Sequence, residues 1–513
     1  MAMNKIKPSF WLLIVFSMNT ISLYARSIID STQLITNVYI IDGTGIAAKK
    51  GAVRIKNNII IEVGNLHPLK NEVIINGNEW VLSPGFIDTH SHHFGGLKNK
   101  PEAIPTANQG ITTITIGQDG ESYPIDTLEN FFKQHAVAVN VASYTGQTTL
   151  REAAMGEGNI LRACTPAELQ AMKTAMTREM QKGSFGLATG LEYEGAFYSD
   201  KDEVMELAKI AAAYNGRYIS HIRSEDIHLD ESIDEIIAIG QQAKLPVQIS
   251  HIKIAKKDQW KTAPQLLQKL QTARAAGINI TADIYPYNFW NSTLKILFPN
   301  RDYQNVASAE FAVNQLFDAN KSILIHFAQN TSYEGKTIAE IATIRKETPA
   351  RTLIHLIEIA NEFKKQHPDF KGNVETIMGK SMDDEDVADL MNWPHSNICS
   401  DGSSSGHPRG HGAFTRVLGR YVRAQKLMPL ETAIYKMTGL SAEHLGIKNR
   451  GIIKAGNYAD LVLFNPKTVL DNADVKNGTA LSTGIEKVWV NGLIVYQNQQ
   501  STHHYPGMLL KNN

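Results

Sequence analysis

Between residues 81 and 402, short apolar runs alternate with longer stretches of helical periodicity, the pattern of parallel βα units. Eight runs read as strands: VLSPGFIDTHSH (81–92), ITTITIGQDG (111–120), AVAVNVASYTG (136–146), SFGLATGLEY (184–193), GRYISHIR (216–223), LPVQISHIK (245–253), INITADIYPY (278–287) and HSNICSDG (395–402). Nearly all run apolar first and finish in His, Asp, Lys or Tyr. Eight strands suffice to close a (β/α)8 barrel, which gathers the C-terminal ends of its strands at one mouth. The predicted fold is therefore α/β, a TIM-like barrel. The seventh and eighth runs lie roughly a hundred residues apart, too far for a structureless loop. Helical patterns at 335–345 and 382–391 predict an inserted helical lid over about 295–394. One strand-like run inside it, SILIHF (322–327), competes for a place in the barrel.

The pattern changes outside this region. LITNVYIID (34–42) and GAVRIKNNIIIEVG (51–64), and near the other end ADLVLFNP (459–466) and IEKVWVNGLIVY (485–496), read as short strands punctuated by Gly and Asn. They predict a small β-sandwich domain assembled from residues 26–83 and 446–513, around a barrel spanning 84–445. Residues 1–25 place Lys5 and Lys7 before an apolar run at 10–16 and a small residue, Ala25, before Arg26. That is the layout of a secretory signal peptide, with a run too short to span a bilayer. It predicts a periplasmic or secreted protein with no stable membrane anchor after its removal.

Composition narrows the function classes. Lys plus Arg and Asp plus Glu both number 51, so the formal charge is zero and nothing favours a nucleic-acid or membrane-surface partner. Cys164 and Cys399 are the only cysteines, too few for a disulfide scaffold or a thiolate zinc cage. One bond between them would suit an oxidising compartment, but two buried free thiols are the expectation. The oligomeric state is not legible.

Histidine carries the chemistry. In GFIDTHSHH (85–93), His90 and His92 stand two apart on a strand and project from one face, so two imidazoles can reach one cation. A lone His-x-His is weak, since histidines also serve as satisfied polar groups in cores. Further strands, however, end in His221, His251 and Asp401. Such groups gathered at a barrel mouth without a function would be costly to desolvate, so a metal site is the reading. Imidazole and carboxylate without thiolate suit zinc first, as one ion or two. Asp401 is the candidate general base, because a carboxylate beside a metal can take a proton from water and hand it to a leaving group.

PGFIDTHSH (84–92), GLATGLEYEGAFYS (186–199), YISHIRSE (218–225), QISHIK (248–253), DIYPY (283–287), SDG (400–402), HPRGHGAFTRVLGRYVR (407–423) and GIIKAGNYADLVLFNP (451–466) together resemble the amidohydrolase superfamily. Within it, GLATGLEY, SHIRSE and HPRGHGAF resemble the N-acyl-D-amino-acid deacylases. The resemblance implies that His90, His92, His221 and His251 ligate metal and that Asp401 activates water. It also implies that Lys253, Tyr285 and Arg409 hold the α-carboxylate of a small-molecule substrate. The sequence departs from the family at GQDG (117–120): many of these deacylases carry a bridging cysteine where Asp119 stands. Carboxylates bridge metals readily, so Asp119 is kept as a ligand, with Glu192 as a second carboxylate able to contribute. Asn291 stands where the family often has serine. Two other readings remain. A cyclic-amide hydrolase of hydantoinase or dihydroorotase type would carry a lysine on the fourth strand, and SFGLATGLEY has none. A non-catalytic amidohydrolase-like envelope protein would show damaged ligands.

Overall fold

The computed structural model describes residues 32–404 and 406–512. The predicted signal segment, 1–25, lies outside the described residues. Strands from both chain ends make one sheet in the order Gln500–Ser501, Leu493–Gln497, Ile485–Val490, Leu461–Phe464, Val73–Pro84, Gln33–Ile40, Lys49–Lys56, Ile59–Gly64. Its seam is the antiparallel pairing of Leu461–Phe464 with the end of Val73–Pro84, so the two ends hold each other. Alternation of the strand residues buries Ile35, Val53, Leu82, Leu463 and Trp489 in a core of their own.

The long Val73–Pro84 strand leads directly into the barrel. Its strands are β1 (Phe86–Asp88), β2 (Ile111–Ile116), β3 (Asn140–Ser143), β4 (Gly186–Gly190), β5 (Arg217–His221), β6 (Val247–Ile249), β7 (Ile280–Ile284) and β8 (Ser396–Ile398). All eight predicted runs contribute one. β1–β2–β3 and β4 through β8 pair in parallel, and Thr145–Gly146, immediately after β3, pairs with β4. A parallel bridge from Ser91 to Gly402 links the end of β1 to that of β8. Every residue of β2 and β4 is buried, as expected for strands covered on one side by helices and on the other by the barrel interior. Among the covering helices, Pro166–Gln181 starts at a capping box in which Thr165 and Glu168 satisfy each other's backbone N–H.

The insertion between β7 and β8 differs from the helical lid expected. Helices Val306–Phe311, Ile338–Arg345 and Pro349–Gln366 pack on a three-stranded antiparallel sheet, Phe289–Ser292, Glu375–Lys380 and Ile323–Phe327, with Glu375–Lys380 in the centre. The run at 322–327 therefore belongs to this sheet, not to the barrel. The unit has its own core, including Phe298, Phe317, Phe327, Leu353 and Ile357. It was misread as helical because its strands pair across tens of residues, and local periodicity carries no trace of such a partner. It also begins before residue 295, with Phe289–Ser292 following DIYPY almost at once.

Candidate metal centre

The predicted site residues converge at the mouth, though most stand just past their strands. Only His221 is a strand's last residue; His90, His251 and Asp401 lie two or three positions beyond β1, β6 and β8, and Asp119 follows β2 in a tight turn. The backbone bends at Thr89 and His90 past β1 yet stays bonded to the end of β8, with His92 N–H donating to Gly402 O at 2.9 Å and Asp401 N–H to His90 O at 2.8 Å. Three of these residues occupy the left-handed region: Asp119 (φ 61°), His251 (φ 35°) and Asp401 (φ 47°). Non-glycine residues there are strained, and such strain collects at functional sites. Asp119 is turned inward by Gly117 (φ 86°) and Gly120 (φ 88°). The end of β4 must also be glycine, since a Cβ on Gly190 would lie 2.2 Å from Asp119 O.

This turn gives Asp119 two faces. Its Oδ2 lies 3.4 Å from His90 Nε2 and 3.5 Å from His92 Nε2, while its Oδ1 lies 3.4 Å from His251 Nε2 and 4.0 Å from His221 Nδ1. Asp401 Oδ1 adds a fourth donor to the first group, 3.5 Å from His90 Nε2 and 3.2 Å from His92 Nε2. Both groups fit a divalent cation. Donors about 2.0–2.1 Å from a tetrahedral ion stand roughly 3.3 Å apart. Both ring nitrogens of His90 and Oδ1 of Asp119 are buried without a hydrogen-bond partner, and His221 Nδ1 faces His251 Nε2 at 3.1 Å. Cations at the two groups would satisfy His90 Nε2, Asp119 Oδ1, His221 Nδ1 and His251 Nε2.

Carboxylates hold the histidines from behind. Glu192 lies 2.9 Å from His221 Nε2, the nitrogen turned away from Asp119, so it orients His221 and does not bridge. Burial, and then the charges of Asp226 and Glu225, raise the Glu192 carboxyl well above its ordinary range. Glu225 was not singled out from sequence. It sits 3.1 Å from His251 Nδ1 and 2.6 Å from Lys253 Nζ, and it belongs to the quoted SHIRSE segment, but nothing in that loop's pattern points it back at a different strand's histidine. β4 ends without a lysine, the feature a cyclic-amide hydrolase of the hydantoinase type would carry there.

The predicted carboxylate-binding trio lies on one wall. Arg409, at the start of helix Arg409–Arg416, donates from a terminal nitrogen to Asp401 Oδ2 at 2.7 Å and stacks 4.7 Å above the Tyr285 ring. Its Nε and the Tyr285 hydroxyl are both buried without a partner, beside Lys253 and Asn291. Burial alone would raise the Asp401 carboxyl, but Arg409, His90 and His251 together carry it well below the usual range. The mouth opens past His92 and Asp119 into a polar cavity of about 980 Å³. Both cysteines are free; Cys399 is buried against Asp283, whereas Cys164 is only half-buried.

Known proteins resemble this chain in sequence and fold. The sequence pattern of the amidohydrolase family matches residues 74–496. The D-aminoacylase of Alcaligenes xylosoxydans xylosoxydans is 29% identical over 498 residues, covering 92% of this chain and 96% of that protein. The N-acyl-D-aspartate deacylase of the same organism is 30% identical, covering 93% and 94%. The solved N-acyl-D-glutamate deacylase of Bordetella bronchiseptica, complexed with zinc and a phosphonate mimic of the tetrahedral intermediate, superposes with a TM-score of 0.82 at 28% identity, covering 93% of this chain and 99% of that one. With a histidine and carboxylate cluster at the mouth of a parallel barrel and relatives matched over nearly their whole length, the chain belongs to the amidohydrolase family, in the branch of D-aminoacylase and its deacylase relatives.

Proposed function

We propose that this protein hydrolyses the amide bond of N-acyl-D-amino acids, releasing a carboxylate and a free D-amino acid. The observation that carries the reading is the pair of unpartnered buried donors, Arg409 Nε and the Tyr285 hydroxyl, beside the histidine and carboxylate cluster. A guanidinium Nε and a phenol hydroxyl that lack partners in a desolvated wall suit one anionic group of a ligand, and a free α-carboxylate is such a group. Relatives named for D-aminoacylase and for N-acyl-D-aspartate and N-acyl-D-glutamate deacylation supply the substrate class.

His90, His92, Asp119, His221 and His251 would hold zinc, as one ion or two, with Asp119 offering one oxygen to each histidine pair. Bound there, zinc would polarise the acyl carbonyl and lower the pKa of water. Asp401, held ionised by Arg409, takes the proton of the attacking water and passes it to the departing amine nitrogen. Lys253 and Tyr285 close on the α-carboxylate with Arg409, and Glu192 and Glu225 keep His221 and His251 in register. The basic and apolar leader at 1–25 supports a periplasmic or secreted setting, which N-terminal sequencing of the exported protein tests.

Zinc-loaded protein assayed against N-acetyl-D- and N-acetyl-L-amino acids should release free D-amino acid. Failure across a broad D panel would overturn the reading.

A further inference from the structure

Relatives named for D-aminoacylase, D-aspartate and D-glutamate deacylation resemble this chain about equally, so similarity does not choose the side chain. The pocket wall does. On the basis of the N-acyl-D-amino-acid reading, we infer that the substrate side chain is neutral and apolar, of leucine to phenylalanine size, and that acidic side chains are rejected.

Beyond the Lys253, Tyr285 and Arg409 wall, and alongside the neutral polar Asn291, Ser292 and Ser381, the pocket is lined by the apolar Ala255, Trp290, Ile296, Leu297 and Leu316. Four of these come from the insertion or its first strand, so the inserted unit builds the side-chain subsite. Trp290 is placed by a glycine. It pairs across the small sheet with Gly379, where an added Cβ would fall 2.4–2.7 Å from indole atoms. The ring can lie across that backbone only because no side chain stands there.

Charge argues the same way. Apart from the histidines, the cations lining this pocket are Lys253 and Arg409, already engaged by Glu225 at 2.6 Å and by Asp401 at 2.7 Å. The wall also carries Glu192, Glu225 and Asp226. In the adjoining cavity, Lys295 is held by Glu194 at 3.1 Å, and Arg301 donates to the carbonyls of Phe298 and Glu192. A second substrate carboxylate would be desolvated beside Glu225 and Asp226, while the cations in reach are already bonded to carboxylates or backbone carbonyls, which is unfavourable. An apolar chain gives up only water.

The test is kcat/KM of the zinc-loaded full-length enzyme for the N-acetyl derivatives of D-Leu, D-Met, D-Phe, D-Gln, D-Glu and D-Asp. The three apolar substrates should exceed D-Glu and D-Asp by about a hundredfold or more, with D-Gln, which matches D-Glu in size but not charge, in between. Turnover of D-Glu or D-Asp equal to D-Leu would overturn the inference and leave D-deacylation standing. Release of no D-amino acid from any substrate would remove both. Ile296→Lys, which adds a cation at a partly exposed position, should raise D-Glu relative to D-Gln by about tenfold. Trp290→Ala should lower D-Phe more than D-Ala. An unchanged D-Glu to D-Gln ratio, or equal losses for D-Phe and D-Ala, would count against this pocket as the side-chain subsite.

Discussion

Arg151 and Arg409 are each buried against a carboxylate, Glu203 and Asp401 respectively, yet their surroundings differ. Arg151 lies in the helical layer outside the barrel, on helix Gln147–Met155, and pairs with Glu203 on helix Lys201–Ala213. Its Nε donates to Gly195 O at 3.0 Å, and a terminal nitrogen donates to Ile160 O at 2.8 Å and Arg162 O at 2.6 Å. Gln147 completes the arrangement by donating to Glu203 at 2.6 Å. Arg409 makes its bond to Asp401 and leaves a buried Nε without a partner. The same ion pair thus serves two purposes. Where each guanidinium nitrogen is met, the pair ties elements together; at Arg409 the leftover Nε stands in the pocket wall, where a ligand group can meet it.

The contrast can be broken from either side. The largest effect is expected at Asp401→Asn, which keeps the shape but removes the base: turnover should fall by about 10²–10⁴-fold with most metal retained by elemental analysis. Retained activity would remove Asp401 from the proton transfer. Next, Arg151→Met strands Glu203 in the interior and should cost about 3–5 kcal/mol in urea unfolding, with little change in KM wherever the protein is folded. A near-neutral result would mean the saturated pair is not structural. Arg409→Ala should raise KM by about ten- to a hundredfold for substrates with a free α-carboxylate, equivalent to about 1.5–3 kcal/mol. Substrates whose carboxylate is amidated should be affected less, and an unchanged KM would take Arg409 out of the clamp.

Lys436 gives the most specific test. It is buried at the foot of the barrel with no carboxylate, donating instead to the carbonyls of Trp393 and Ser396, and burial pushes its pKa down to about 7. Between about pH 7 and its ordinary value of 10.5, the unfolded chain binds a proton that the folded chain has lost, so stability should rise with pH across that window. Lys436→Met should flatten this rise, measured by urea midpoints at about pH 7 and about pH 10. An identical slope would show that the proton is bound equally in both states.

Much of the site was legible because barrel strands announce themselves as apolar runs that stop at a polar residue. His90, His221, His251 and Asp401 were found in this way, and each stands at or just beyond such a stop. Glu225 was not, because it lies in a loop without periodicity and acts on His251 from a neighbouring βα unit. The sheet in the insertion was missed for a related reason: Trp290 faces Gly379 across almost ninety intervening residues, and neither residue marks the other locally.

The order of the barrel strands, the β patches at both ends, and the histidines and Asp401 at the strand ends follow from the chain alone, since each depends on residues close together in sequence. Only the tertiary structure decided that Asp119 turns one oxygen to each histidine pair, and that Arg409 Nε and the Tyr285 hydroxyl remain unpartnered. Those facts depend on which atoms from distant segments are present or missing within hydrogen-bond reach. A one-dimensional pattern holds no record of that distance, because the closing of the barrel and the docking of the insertion set it.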